Sequence, residues 1–115
     1  DLATAIKNLG GDKQLIVELA SMFVDDIPQQ TQDLLALARQ DDREGVCQVA
    51  HAVKGSCATF GLEPTTSMAK NVELHHLNQL CEHVDFRMVR KLAELLEESV
   101  EVLQRQIVTG DSSRF

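Results

Sequence analysis

The sequence predicts an all-α fold, an up-and-down antiparallel four-helix bundle preceded by an extra short helix. Apolar residues recur at intervals of three and four along almost the whole chain, the period of a helix with one buried face. Trp and Tyr are absent, Pro occurs only 2 times, and the 43% apolar residues are mostly Leu, Val and Ala, a balance that favours helices over strands. The breaks are few and short, and short connections between long helices make sequential neighbours antiparallel.

The first helix is expected from Leu2 to Leu9, ended by Gly10 and Gly11. The second opens at Asp12, a good N-cap, with an inward stripe of Ile16, Leu19, Phe23, Ile27, Leu34 and Ala38. Pro28 falls inside it and should kink or divide it, because the ring removes one backbone donor and clashes with the preceding turn. After Asp41 and Asp42 a third helix runs to Gly61, and the fourth carries Pro64 in its first turn, where a missing N–H does no harm. Beyond a break around His83 the fifth runs from about Asp85 to Val108, with Val89, Leu92, Leu96, Leu103 and Ile107 facing inward. Residues 1–109 are therefore assigned to the bundle and 110–115 to a frayed tail.

At 115 residues the chain has the length of one small domain with a single core, which excludes a multidomain enzyme. The balance of 11 basic and 18 acidic residues gives a net charge of −7, so neither nucleic acid nor an anionic membrane surface is an expected partner. No apolar run approaches a membrane span, and the first residues given do not have the basic, apolar pattern expected of a signal sequence. Cys47, Cys57 and Cys81 form an odd set without a Cys-x-x-Cys pair, which fits a reducing cytoplasm better than a disulfide framework. The chain begins at Asp1 rather than Met, and is read as a piece of something longer.

The third helix carries the chemistry. On a wheel of 3.6 residues per turn, Val46, Val49, Ala50, Val53, Cys57 and Phe60 form the core stripe. His51 lies about 140° from its centre and points to water, with Glu44, Gln48, Gly55 and Ala58 as its neighbours on the outer face. Glycine inside a helix costs about 1 kcal/mol relative to alanine, so Gly55, one turn after His51, suggests a reason for keeping that space empty. Lys54, at i+3, brings an ammonium beside the ring, where it would stabilise an anionic group on the imidazole, and Gln48 adds an amide on the other side. The set describes an exposed imidazole nucleophile prepared to carry a phosphoryl group.

The run from His51 through Lys54 and Gly55 to Phe60 and Gly61 closely resembles the signature of histidine-containing phosphotransfer (HPt) domains, His-x-x-Lys-Gly on a bundle helix that ends in Gly. The resemblance spans the chain: a short first helix, a long second helix interrupted by Pro, an acidic turn before the histidine helix, and Ala69 to Glu73 resembling the Ala-x-x-Leu-Glu of the next helix. Val72 and Val53 each stand where Leu is usual, apolar for apolar. The resemblance implies a phosphocarrier: His51 accepts a phosphoryl group from an aspartate of one receiver domain and passes it to an aspartate of another, Lys54 is its charge partner, and Gly55 is the gap that admits the receiver. Glu44, Gln48 and Ala58 would surround the histidine where the receiver docks. The chain would need no cofactor of its own, since Mg²⁺ comes with the receiver, and would act as a monomer. It would be no enzyme in isolation, but the cytoplasmic C-terminal module of a membrane-bound hybrid sensor kinase.

Other constellations are weaker. Glu73 and His76 satisfy the Glu-x-x-His spacing of helical di-iron bundles, but no second copy exists, so His75, His76, His83 and Cys81 read as a polar helix end, with His76 partly packed beside Val72 and His75 in solvent, and no metal is expected. A phosphate-binding loop is excluded because no strand precedes Gly55 and Gly61 and Lys54 comes before both. Cys47, four residues before His51, projects toward a flank of the wheel rather than the outer face and is assigned to packing. Val17 and Val24 lie off the main stripe of the second helix, either bare as a docking patch or packed against the first helix. The alternative from another class is a helical adaptor that docks a receiver without transfer chemistry.

Overall fold

The computed structural model describes the backbone of residues 2–8 and 10–109 and the side chains of residues 5–8 and 10–107. These residues form five helices: α1 (Leu2–Asn8), α2 (Lys13–Arg39), α3 (Arg43–Thr59), α4 (Thr65–Leu77) and α5 (Phe86–Thr109). No strand occurs among them. Leu9, the expected last residue of the first helix, and the tail assigned to 110–115 lie outside the described residues.

Each boundary has a local cause. The carboxylates of Asp12, Asp42 and Asp85 accept the backbone N–H groups of Leu15, Gly45 and Met88, which the first turns of α2, α3 and α5 would otherwise leave without partners. Pro64 stands immediately before α4 rather than inside its first turn. At the other end of α3, Gly61 takes φ 61°, and the N–H groups of Gly61 and Leu62 donate back to Ala58 and Cys57. This is the Schellman closure that favours glycine. The C-terminus of α2 closes in the same way, with Asp42 N–H on Leu37 and Asp41 N–H on Ala38, although the left-handed residue there is Asp41 at φ 56°.

The four long helices pack in a ring, each against the next in sequence, and α5 returns to α2. The core takes Ile16, Phe23, Ile27 and Leu34 from α2, the Val46 to Phe60 stripe from α3, Ala69 and Val72 from α4, and Val89, Leu92, Leu96 and Leu103 from α5. Leu19, Val49 and Ile107 are only half-buried, at the margins of their stripes. Helix α1 packs against α2 and α3: Ala5 is buried in the core, and the Asn8 amide donates to the Thr59 carbonyl. The molecule is 50 Å long, in keeping with an α2 of 27 residues that alone spans about 40 Å.

One expectation is corrected and one is narrowed. Helix α2 is not divided at Pro28: the ring sits on the exposed side, and the Thr31 hydroxyl donates to the Ile27 carbonyl beside it. Of the two alternatives for Val17 and Val24, the bare docking patch is the one excluded: both are half-buried, and Val24 packs against the core. They lie on the flank of α2 that turns toward α5, while the apolar residues left on the surface, Leu15 and Met22, lie on the opposite flank, beside α3.

Candidate functional site

His51 stands on the outer face of α3, its side chain 68% exposed. The same face carries Glu44, Gln48, Gly55 and Ala58, all exposed, as the wheel requires. A methyl group built at Gly55 would meet nothing within 4 Å, so the turn following His51 is open. The space there is real, and no backbone strain accounts for the glycine.

The ring of His51, which the helical wheel points to water, does make one contact. Its Nδ1 lies 2.5 Å from Oε2 of Glu73 on α4, and the other oxygen of that carboxylate, Oε1, accepts from Lys54 Nζ at 2.7 Å. One carboxylate therefore joins His51 and Lys54. The ammonium is anchored on Glu73 instead of swinging freely beside the imidazole. Glu73 is largely buried and its backbone carbonyl takes a contact from the Cys47 thiol at 3.7 Å, which ties the start of α3 to the same turn of α4. Cys47 is a packing residue, as expected, and burial pushes its thiol pKa up.

The electrostatics assign the tautomer. Hydrogen bonding from Lys54 lowers the Glu73 pKa most, desolvation raises it by less, and the hydrogen bond from His51 lowers it further, so the net shift is downward. An ionised carboxylate can only accept, so in the neutral ring of His51 the proton sits on Nδ1 and the lone pair on Nε2. The nucleophilic nitrogen is thus the one that Glu73 does not engage. Chemically, the arrangement is an exposed imidazole with its reactive atom free, its other nitrogen held by a carboxylate, and a cation one carboxylate away.

Beside this face, α2 and α3 enclose a groove of about 210 Å³ lined by Leu19, Met22, Phe23, Gln30, Thr59 and Phe60 among others. Thr59 is one turn beyond Gly55 and donates its hydroxyl to the Gly55 carbonyl. Met22 is 56% exposed, and the floor is fixed by an edge-to-face pair of Phe23 and Phe60 with centroids 5.6 Å apart.

Sequence reasoning placed His51, Lys54, Gly55, Gln48, Glu44 and Ala58 on one face and missed two features. Glu73 was recognised only as part of a helix motif, although a carboxylate at a fixed place in the next helix is what an exposed histidine needs to fix its tautomer. The Leu15 and Met22 edge was hidden because both residues fit an apolar helix pattern equally well whether covered or bare.

A comparison with curated proteins gives no match. The crystal structure of the HPT domain from an Hpt sensor hybrid histidine kinase of Shewanella superposes with a TM-score of 0.85 at 14% identity, over 95% of this chain and 93% of that one. At that identity the likeness speaks for the fold. The model of the Hpt domain family matches residues 18–109, which include the whole of α3 and α4. The chain belongs to the Hpt domain family, whose members are phosphocarriers rather than enzymes and work with receiver domains in phosphorelays.

Proposed function

We propose that this domain takes a phosphoryl group from the aspartyl phosphate of a receiver domain onto Nε2 of His51 and passes it to the aspartate of another. The observation that carries this reading is the Glu73 bridge, which in the neutral ring holds the proton on Nδ1 and leaves the lone pair on Nε2 of an exposed side chain. In the forward step the Nε2 lone pair forms a bond to phosphorus while the bond from phosphorus to the receiver's carboxylate oxygen breaks, and the carboxylate leaves with the electron pair. Positive charge then spreads over an imidazole whose Nδ1–H already faces the Glu73 carboxylate, so the balancing charge is in place before the reaction. The reverse step uses the same contact.

Lys54, 30% exposed, lies close enough to shift part of its attraction from Glu73 to the phosphoryl oxygens. Gly55 admits the receiver's loop, with Glu44, Gln48 and Ala58 around the contact and the Met22 groove as its apolar edge. Mg²⁺ and the acid cluster that activates the aspartate belong to the receiver. No helix among the described residues is long and apolar enough to cross a membrane. The domain acts as a monomer in the cytoplasm, as a module of a hybrid sensor kinase.

The test is to mix the protein with a panel of phosphorylated receiver domains and follow the label. Transfer to wild type, with none to His51→Gln, is the expected result. Receivers that bind but leave no label on the wild-type chain would identify an adaptor instead.

A further inference from the structure

We propose that His75, His76 and Cys81, at the end of α4 and in the connection to α5, form a binding site for a divalent transition ion of the zinc class. A ring nitrogen of each histidine and the Cys81 sulfur all lie within 4.8 Å of one another. In a tetrahedral zinc site two nitrogens stand about 3.3 Å apart, and a nitrogen and a sulfur about 3.6 Å. Contraction by about 1 Å is therefore needed, and the two outer ligands can supply it, since His75 is exposed and Cys81 sits half-buried in an irregular segment.

The third ligand has its tautomer fixed. His76 is 1% exposed, and its Nδ1 lies 2.7 Å from the Val72 carbonyl, which can only accept, so Nδ1 carries the proton. Nε2 accordingly bears a lone pair, and its partner is the backbone N–H of Asp85 at 3.0 Å. A histidine whose Nδ1–H is fixed on a carbonyl while Nε2 offers a lone pair is the arrangement that metal-ligating imidazoles use. On binding, the ion replaces the Asp85 N–H, which passes to water because Asp85 is only half-buried. Cys81 is presented by a turn in which its N–H donates to the Asn78 carbonyl, and Arg43 of α3 donates to the carbonyls of Asn78 and Cys81 from outside. Its thiol donates to the His83 carbonyl at 3.1 Å and would lose that proton to solvent as the sulfur–metal bond forms.

Two imidazoles and one thiolate suit Zn²⁺ or Co²⁺ and exclude Mg²⁺ and Ca²⁺, which take oxygen ligands. Three protein ligands leave a fourth position for water. The ion would pin the end of α4 to the loop that starts α5.

The experiment is a titration of the reduced protein with Co²⁺. A thiolate-to-cobalt absorption in the near ultraviolet and tetrahedral bands in the visible should saturate at one ion per chain and vanish when Zn²⁺ is added. Cys81→Ser should remove the near-ultraviolet band, and His75→Ala should weaken binding at least tenfold, with helical circular dichroism unchanged in both. His51→Gln should bind as wild type does. In the unmodified chain, Zn²⁺ should protect Cys81 from alkylation, read by mass spectrometry. Absence of the thiolate band, its survival in Cys81→Ser, loss of binding in His51→Gln, or no protection of Cys81 would each overturn the proposal.

Discussion

At the scale of single residues, the Glu73 carboxylate holds an imidazole on one oxygen and an ammonium on the other, and the roles of His51 and Lys54 are therefore linked. Glu73→Gln keeps a hydrogen-bond acceptor for Nδ1–H but removes the charge that balances an imidazolium. It should slow phosphoryl transfer about tenfold, equivalent to roughly 1.4 kcal/mol of barrier, with little change in melting temperature. Transfer kinetics at wild-type speed in that variant would reduce Glu73 to a structural contact. At Lys54, partial exposure screens the charge, so Lys54→Arg should retain much of the rate, Lys54→Ala should lose about tenfold, and Lys54→Glu should lose more. Rates measured at low and high salt in both directions check this, and equal rates for the three variants would contradict it. Gly55 has open space around it, so Gly55→Ala should stabilise the helix by a few tenths to about 1 kcal/mol, while Gly55→Leu should obstruct the receiver. Thermal melts and transfer rates should then move in opposite directions along the series Gly, Ala, Leu.

At the scale of elements, the connection between α2 and α3 meets the connection between α4 and α5 through Asp41. Its carboxylate accepts from His83 Nδ1 at 2.7 Å and from the Val84 N–H at 2.7 Å. The hydrogen bond from His83 holds the Asp41 pKa below its ordinary value, and the same bond from the carboxylate raises that of His83. Asp41 therefore contributes above its unfolded pKa, and the contribution is lost as pH falls through the lower folded value. His83 contributes fully below its unfolded pKa, and the contribution is lost as pH rises through the higher folded value. The link is complete between roughly pH 4 and 6.5 and weakens on the alkaline side. Exchange protection of the Val84 amide, corrected for intrinsic rate, should be greater at pH 5.5 than at pH 8.5, and His83→Asn should abolish the difference. A pH-independent protection factor in wild type would show that the pair does not hold the loop. This link was not legible in the sequence. Helix limits at Asp12, Asp42 and Gly61 were, because caps act within four residues, but Asp41 and His83 are 42 positions apart and only the assembled bundle brings them together.

At the scale of the whole molecule, the ring of α2, α3, α4 and α5 places an exposed histidine on one helix against a carboxylate on the next, 22 residues later. The bundle and the outer face of α3 were legible from periodicity, since buried and exposed positions alternate with the helical period. The path of α2 through Pro28 was not, because tertiary packing on both sides of the proline decides whether the helix continues. Nor was the division of labour between Val24, which turns inward, and Met22, which does not, since that depends on which neighbour lies along each flank. The net charge of −7 becomes more negative when His51 is phosphorylated, so the phosphoryl group enters an acidic molecule and depends on Lys54 and the receiver's own cation for compensation. The most direct measurement is nitrogen-detected NMR of the imidazoles after phosphorylation by a cognate receiver. Phosphorus bonded to Nε2 of His51, with Nδ1 still protonated beside Glu73, is the predicted result; phosphorus on Nδ1 of His51, or on His75, His76 or His83, would contradict it.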